Sequence, residues 1–480
     1  MPALAPTPRD DLTQGSIVRA LVALAVPIVF ANLLQTAYQL IDTFWVGRLG
    51  AAAVAAVSLS FPVIFFLISL GLGLAIAGTI LVAQYTGRGD RAQVNHVAAQ
   101  ALIGVIALSL LLAVVGAYAA GDIVGFLGAA ADTLPLATAY LRVSFVGLPF
   151  LFAYVIFQSL MRGVGDAHTP LYIVTGTVIL NFGLDPLFIL GWGPVPAMGV
   201  SGAALATVVT QGLAATVGLG MLFSGRYGIA LRAHHLVPDG ATLWRLTRLG
   251  APSAVEQSTR ALGLMLMTIL VAGFGTHALA AYGIGTRMLS FVIIPALGLS
   301  QATSALVGQN VGARRADRAE RTAWLAAGAA FAALSVIGVL AFVFAEPIVA
   351  LFVPGAPGVI AQGALFVQCT AVSYGLIGAQ QVLTGAFRGA GQTVVAMMIA
   401  LVSLWMLQFP LAWLLSSHAG LGATGIWIAY PVQNLLTAIL AAVWFARGGW
   451  KHQSAIETSI PEGEVEDTCR PGQITQTTLR

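Results

Sequence analysis

The chain has 480 residues, 58% of them hydrophobic and only 8% charged, against roughly 25% charged in a soluble globular domain. That composition excludes a soluble fold, and a net charge of +4 without a soluble basic face excludes nucleic-acid binding. Lys451 is the sole lysine and no GxxxxGK[ST], HExxH or GxSxG run occurs, so neither a P-loop motor nor a familiar hydrolase is encoded.

Hydrophobic stretches long enough for a bilayer core of about 30 Å recur throughout. In chain order they predict twelve spans: 17–46, 52–84, 93–119, 133–161, 168–191, 198–224, 243–272, 277–309, 322–345, 359–387, 393–416 and 421–446. A polar lead occupies 1–16, with no cleavable signal apparent, so the first span is expected to remain in the mature protein. The longest internal loop, 225–242, separates an N-lobe (17–224) from a C-lobe (243–447). The tail, 448–480, is polar with an acidic cluster at Glu462, Glu464, Glu466 and Asp467, and reads as disordered. Cys369 falls in a span and Cys469 in the tail, which makes a disulfide between them unexpected.

Charge orients the spans. Arg88, Arg91, Arg162, Arg226, Arg232, Arg245, Arg248, Arg314, Arg315, Arg318, Arg321 and Arg388 fall in or beside alternate loops, whereas the opposite loops hold Arg48 alone. Positive residues stay inside, so both termini are expected in the cytoplasm of a multi-pass plasma-membrane protein (the inner membrane in a Gram-negative cell).

The chain also repeats itself. Displaced by 225 residues, 17 of the 61 positions from Pro27 to Gly87 match without a gap. Arg162-Gly163-Val164-Gly165 then pairs with Arg388-Gly389-Ala390-Gly391, and Gly199 and Gly202 pair with Gly422 and Gly425. Each copy holds six spans. An even number makes the copies parallel, so the expected fold is all-α: two parallel six-helix bundles, twelve transmembrane helices in all, related by a pseudo-two-fold along the membrane normal.

Six charged residues fall well inside spans: Asp42, Arg142, Asp185, Glu256, Arg260 and Arg287. Each costs about 2.5–3.5 kcal/mol near mid-bilayer on insertion scales, so a function or a partner is expected for each. Asp42 and Asp185 lie at similar depths in spans 1 and 5. Asn181 is one helical turn from Asp185, and Thr207 of span 6 descends to the same layer. An all-oxygen cluster of this kind suits a hard cation such as Na⁺. Two carboxylates close together in a low dielectric equally suit a proton carrier. The bland alternative is that Asp42 is solvated near the interface and that Asn181 and Thr207 make local helix contacts. Against it, the acids are confined to the first copy: Asp42 aligns with Met267, Asn181 with Leu407 and Asp185 with Leu411. Glu256 and Arg260 are spaced to pair with each other. Arg142 and Arg287 are placed to snorkel or cap carbonyls.

The chain resembles the multidrug and toxic compound extrusion (MATE) family. The resemblance covers roughly 15–447 and rests on several motifs taken in order. They are Pro27 and Asp42 in span 1, the pair Val82-Ala83-Gln84-Tyr85-Thr86-Gly87 and Val307-Gly308-Gln309-Asn310-Val311-Gly312, and Arg162-Gly163-Val164-Gly165-Asp166. Asn181 with Asp185, Gly202-Ala203-Ala204-Leu205-Ala206-Thr207 and Arg388-Gly389-Ala390-Gly391 complete the set. The resemblance implies export of small organic, often cationic compounds, driven by inward flow of H⁺ or Na⁺. It also implies a cation or proton site at Asp42, Asn181, Asp185 and Thr207. Some relatives use second-half acids instead: Glu256 matches one of these, but Thr370 to Gly385 contains no acid.

A substrate cleft between the lobes is expected to include Tyr38, Phe44, Trp45 and Glu256. No cofactor and no enzymatic activity are expected, the partners are membrane lipids and small substrates, and the expected functional unit is a monomer. A lipid-linked saccharide flippase of the same superfamily is the nearest alternative, and an ion channel is the alternative from another class.

Overall fold

A computed structural model describes residues 12–192, 194–452, 455 and 456. The acidic cluster from Glu462 to Asp467, Cys469 and most of the lead lie outside the described residues. The first copy folds as α1 (Ile17–Gly47), α2 (Ala51–Arg88), α3 (Arg91–Phe126), α4 (Leu134–Gly163), α5 (His168–Leu190) and α6 (Val200–Ser224). The second comprises α7 (Gly240–Ala272), α8 (Thr276–Gly312), α9 (Ala316–Val343), α10 (Ala345–Phe352), α11 (Pro357–Ala371), α12 (Tyr374–Gly389), α13 (Thr393–Leu401), α14 (Phe409–Trp413) and α15 (Ala423–Ala446).

Helices are the only way to satisfy every backbone group within one segment of lipid-embedded chain. Ten of these helical stretches, counting Thr393–His418 as one, are long and apolar enough to cross a membrane. The pair α11 and α12, bent by 50° at the break between them, makes one further span, the tenth in chain order. The remaining span, the seventh in chain order, is α7, whose 33 residues carry Arg245, Arg248, Glu256, Gln257 and Arg260 and are therefore less apolar than the rest. At 1.5 Å per residue, α2 is about 57 Å long, nearly twice the bilayer core, so it must tilt and protrude.

Two features depart from the expected spans. A short amphipathic helix, α10, fills the connection after α9. The eleventh span is not a uniform α-helix: π-helical turns at Val402–Gln408 and Leu414–His418 flank α14. Such turns insert one residue per turn and rotate the side chains that follow.

The bundles exchange helices. α1 packs on α5 of its own half and on α8 of the other, and α7 packs on α13 of its own half and on α2 of the other. α2 and α8 cross on the pseudo-two-fold, on the face where both described chain ends lie. There the backbones are almost in contact: a Cβ on Gly87 would lie 1.8 Å from the Gln309 carbonyl oxygen, and one on Gly312 would lie 1.9 Å from that of Gln84. Small residues permit this approach, which is how helices gain packing energy in lipid. Two buried amides complete the crossing. Gln84 Nε2 donates to the Gly389 carbonyl at 3.0 Å, and Gln309 Nε2 donates to the Gly163 carbonyl at 2.9 Å. Each glutamine thus caps the end of a helix in the opposite copy.

The link between the copies is fastened rather than loose. Gln100 Nε2 donates to the carbonyls of His235 (3.0 Å) and Val237 (2.7 Å), while the Asp239 amide donates to Gln100 Oε1 at 2.9 Å. The tail also begins differently from its composition. Gly449–His452 forms a 3₁₀ turn, Trp450 is buried, and Ile456 is only 6% exposed. The expectation of disorder from 448 onward is therefore corrected for these residues; aromatic and apolar anchors dispersed among polar neighbours hold them.

Gly312→Ala is expected to lower the thermal stability of the purified protein by at least the roughly 1–3 kcal/mol typical of overpacking. Gly328→Ala, in α9 with nothing within 4 Å of a new Cβ, is expected to be neutral or stabilising. Thermal unfolding in detergent checks both, and equal behaviour of the two variants would contradict the close crossing.

Candidate functional site

A cavity of about 220 Å³ opens within the first bundle, and its wall includes Gln35, Tyr38, Gln39, Asp42, Tyr140 and Thr207. α1 contributes Gln35, Tyr38, Gln39 and Asp42 because these positions recur every three or four residues and so share one face. Behind this wall, α5 turns Asn181 and Asp185 inward, both wholly buried. Asn181 Nδ2 donates to Asp185 Oδ1 at 2.8 Å, the i,i+4 contact that the spacing permits. Asp42 and Asp185 lie within coulombic reach of each other, and the Tyr38 and Tyr140 hydroxyls lie within reach of both.

The remaining polar contacts run through α6. The hydroxyls of Tyr38 and Thr210 share a hydrogen bond at 2.9 Å, and Tyr38 also interacts with the Thr207 side chain. Thr210 Oγ1 lies 2.9 Å from the Thr207 carbonyl and 3.0 Å from that of Ala206. What the cluster lacks is donors. Asp42 Oδ1, Asp185 Oδ2 and Asn181 Oδ1 are all buried with no hydrogen-bond partner. Leaving a buried acceptor unpaired costs about 1–3 kcal/mol, more when it is charged. Three such oxygens lie in one small region of the first bundle, and their chemistry is that of acceptors for a proton or a cation.

The second bundle carries different residues at the equivalent places. Met267, in the position of Asp42, is 1% exposed and shares an apolar cluster with Tyr282, Phe366, Trp427, Tyr430 and Leu411, the last in the position of Asp185. Gly263 replaces Tyr38, and its empty side is filled by Leu404, whose Cδ2 lies 2.3 Å from where a Cβ would stand. Tyr430 stands where the first copy has Thr207, and its hydroxyl bonds that of Tyr282 at 3.2 Å. One copy of the scaffold holds a polar cavity and the other a packed core.

The predicted site residues are thus distributed as follows. Tyr38, Asp42 and Thr207 line the cavity, and Asn181 and Asp185 stand behind it. Phe44 and Trp45 are not part of its wall: Phe44 is exposed, the two rings meet edge to face, and the Arg48 guanidinium sits 4.8 Å from each. Glu256 lies on α7 of the other bundle, wholly buried. Its Oε1 accepts from Arg260 Nη2 at 3.0 Å and from Arg388 Nη2 at 3.1 Å, and Arg260 Nη2 also donates to Gln381 Oε1 at 2.9 Å. The i,i+4 pair is formed as its spacing predicted, but Arg388 and Gln381 are further partners that no local pattern announces. Arg142 and Arg287 are exposed. Tyr140 and Thr210 escaped the sequence reading: Thr210 is signalled only by its i+3 spacing from Thr207, and Tyr140 by nothing local. Among the described residues, no group of three or more His, Cys, Asp or Glu is placed to hold a metal.

Comparison with known proteins decides the family. The MatE family model matches residues 27–187 and 252–414, one match in each copy. The chain belongs to the MatE family. A probable multidrug resistance protein, YoeA of Bacillus subtilis, is 30% identical over 433 residues, covering 89% of this chain and 93% of that protein. An FAD transporter of Shewanella oneidensis is 28% identical, covering 90% and 95%. The solved outward-facing conformation of a multidrug resistance MATE family transporter superposes with a TM-score of 0.86 at 25% identity, covering 92% of this chain and 98% of that one. Members of the MatE family are transporters, not enzymes, and the twelve-helix architecture described above is theirs.

The double substitution Asn181→Leu with Asp185→Leu writes the pair found at Leu407 and Leu411 into α5. Removing unpaired buried acceptors is expected to raise stability by about 1 kcal/mol or more. Thermal unfolding measures this, and a marked loss of stability would show that the cluster is a structural element.

Proposed function

We propose that this chain is a secondary active multidrug exporter that moves small organic, often cationic compounds outward in exchange for H⁺ or Na⁺. The face carrying both described chain ends is cytoplasmic in this reading, in keeping with the arginine-rich loops on that side. The observation that carries the reading is the set of unpartnered oxygens on Asp42, Asp185 and Asn181, present in one bundle and replaced by apolar packing in the other.

The physical logic is that of two ligands favouring different states. With the acids ionised, the N-lobe holds two buried negative charges that favour a cationic substrate in the adjoining cavity. A proton or Na⁺ arriving from outside neutralises them, removes that attraction, and releases the substrate outward. The coupling requires only that ion and substrate stabilise different conformations, and a difference of 1–3 kcal/mol gives a factor of about 5–150. α1 is the natural moving part: it carries Tyr38 and Asp42, contains Pro27, and makes contacts in both bundles.

A second reading concerns charge at the substrate. Two guanidiniums surround the single Glu256 carboxylate, leaving net positive charge in the second bundle. That excess, together with a relative named as an FAD transporter, favours substrates that also bear an anionic group.

Sealed vesicles with independently imposed H⁺ and Na⁺ gradients, assayed with cationic, zwitterionic and anionic compounds, test both readings. Asp42→Asn is expected to abolish gradient-driven efflux while leaving the protein folded. Wild-type transport by that variant would sink the proposed coupling site.

A further inference from the structure

The face where α2 and α8 cross is overlain by two pieces of chain that lie outside the duplicated helices, and they occupy pseudo-symmetric places. Leu12 packs at Gly165, where its Cδ1 lies 2.6 Å from the position of an added Cβ and Gln309 Nε2 lies 3.3 Å from it. Ala455 packs at Gly391, the counterpart of Gly165, with its Cβ 2.9 Å from the same position. The Ala455 amide donates to Gln84 Oε1 at 3.0 Å, Gln84 being the counterpart of Gln309. The segments have no common sequence, so the duplication did not supply this symmetry; the two equivalent niches did.

Each segment ties one bundle to the other. At the beginning of the chain, Arg315 Nη1 donates to the Thr13 carbonyl at 2.7 Å, and Arg318 donates to the carbonyls of Gln14 (2.8 Å) and Gly15 (2.9 Å). At the end of the chain, Trp450 stacks on Phe445 of α15 with centroids 4.8 Å apart, and its Nε1 donates to the Phe445 carbonyl at 3.1 Å. Lys451 Nζ reaches Glu320 Oε2 of α9 at 2.6 Å. These anchors belong to the second bundle. Five residues later the chain is held by the first: Ala455 bonds α2, and Ile456 joins the apolar cluster formed by α2, α3 and α4.

We propose that the chain end anchored by Trp450 and Lys451 on one bundle and by Ala455 and Ile456 on the other is a strap that holds the cytoplasmic side shut, and that it must let go of the first bundle before that side can open. The inference rests on the transporter reading above, in which the bundles part at this face once per cycle. Between Trp450 and Ile456 there are at most six virtual bonds of 3.8 Å, about 23 Å fully extended. The two anchors therefore cannot follow bundles that separate widely. Ile456 must leave its apolar cluster, and the Gln84 bond to Ala455 is lost together with the Gln84 bond to Gly389. The strap thus adds its own burial to the closed state and slows or limits opening.

The test reads conformation directly. In full-length protein with Cys369 and Cys469 replaced by alanine, Ser304→Cys places a reporter at the buried crossing of α8 with Gly389. In inside-out vesicles, with no ion gradient, a membrane-impermeant maleimide should label it slowly. Adding Ile456→Asp is expected to raise the labelling rate several-fold, whereas Ile456→Val leaves it near the starting value. Should the buried aspartate compromise folding, Lys451→Glu opposes Glu320 and is expected to raise labelling as well, with Lys451→Glu plus Glu320→Lys returning it to the parent rate. Labelling that moves in neither the aspartate nor the charge-reversed protein overturns the strap. Because no gradient is used, a failure of H⁺ or Na⁺ coupling would leave these labelling differences intact and would be recognised separately in the transport assay.

Discussion

The crossing of α2 and α8 sets the geometry of everything else. In lipid there is no hydrophobic force between helices, so contact must come from close packing and from hydrogen bonds that have no competing water. Gly87 and Gly312 remove the Cβ atoms that would keep the backbones apart, and Gln84 and Gln309 each reach a helix end of the opposite copy. The arrangement is reciprocal, so it fixes the pseudo-two-fold, the register of α4 and α12, and the closed face in one step. The same contact has to break if the closed face is to open.

The exchange of α1 and α7 between bundles gives that geometry a mechanical consequence. α1 rests on α5, which carries the buried acids, and also on α8 of the opposite bundle. In the proposed exchange, a change of charge at Asp185 would act on a helix that itself touches both halves. A chain of packed side chains would otherwise be needed to carry such a signal; here one helix contacts both ends. The uneven chemistry of the two bundles then acquires a simple meaning. Around Trp427 the second bundle is a packed aromatic cluster, while the first holds a polar cavity, which the proposed exchange makes the responsive element.

Much of this was legible in the chain. The repeat located Gly87 with Gly312 and Gln84 with Gln309 before any coordinates, and composition demanded helices. Asn181 and Asp185 were paired by spacing alone, because an i,i+4 relation is local and survives any tertiary arrangement. The comparison of copies isolated Asp42 and Asp185 as departures from symmetry. What escaped was non-local. Tyr140 enters the site through the packing of α4 against α6, and Arg388 reaches Glu256 across 132 residues of sequence. Phe44 and Trp45 looked like cleft residues by proximity to Asp42. Phe44 follows Asp42 by two positions and so turns to another face of α1, whereas Trp45 follows by three and is kept from the cavity wall by its contacts with Phe44 and Arg48. Segment 448–456 read as polar slack because hydropathy averages over a window, and its anchors, Trp450 and Ile456, are isolated among polar neighbours.

The sequence by itself determined the class of the protein, its helices, its duplication and the identity of the unusual acids. Those properties follow from water's absence in the bilayer and from the 3.6-residue period, both of which act within a single segment of chain. Only the tertiary structure decided that one oxygen of each acid is left without a donor, that the equivalent place in the second bundle is filled, and that both described chain ends lie over one face. Such facts depend on which helix stands beside which, and that is settled by the fit of glycine-lined surfaces between segments hundreds of residues apart.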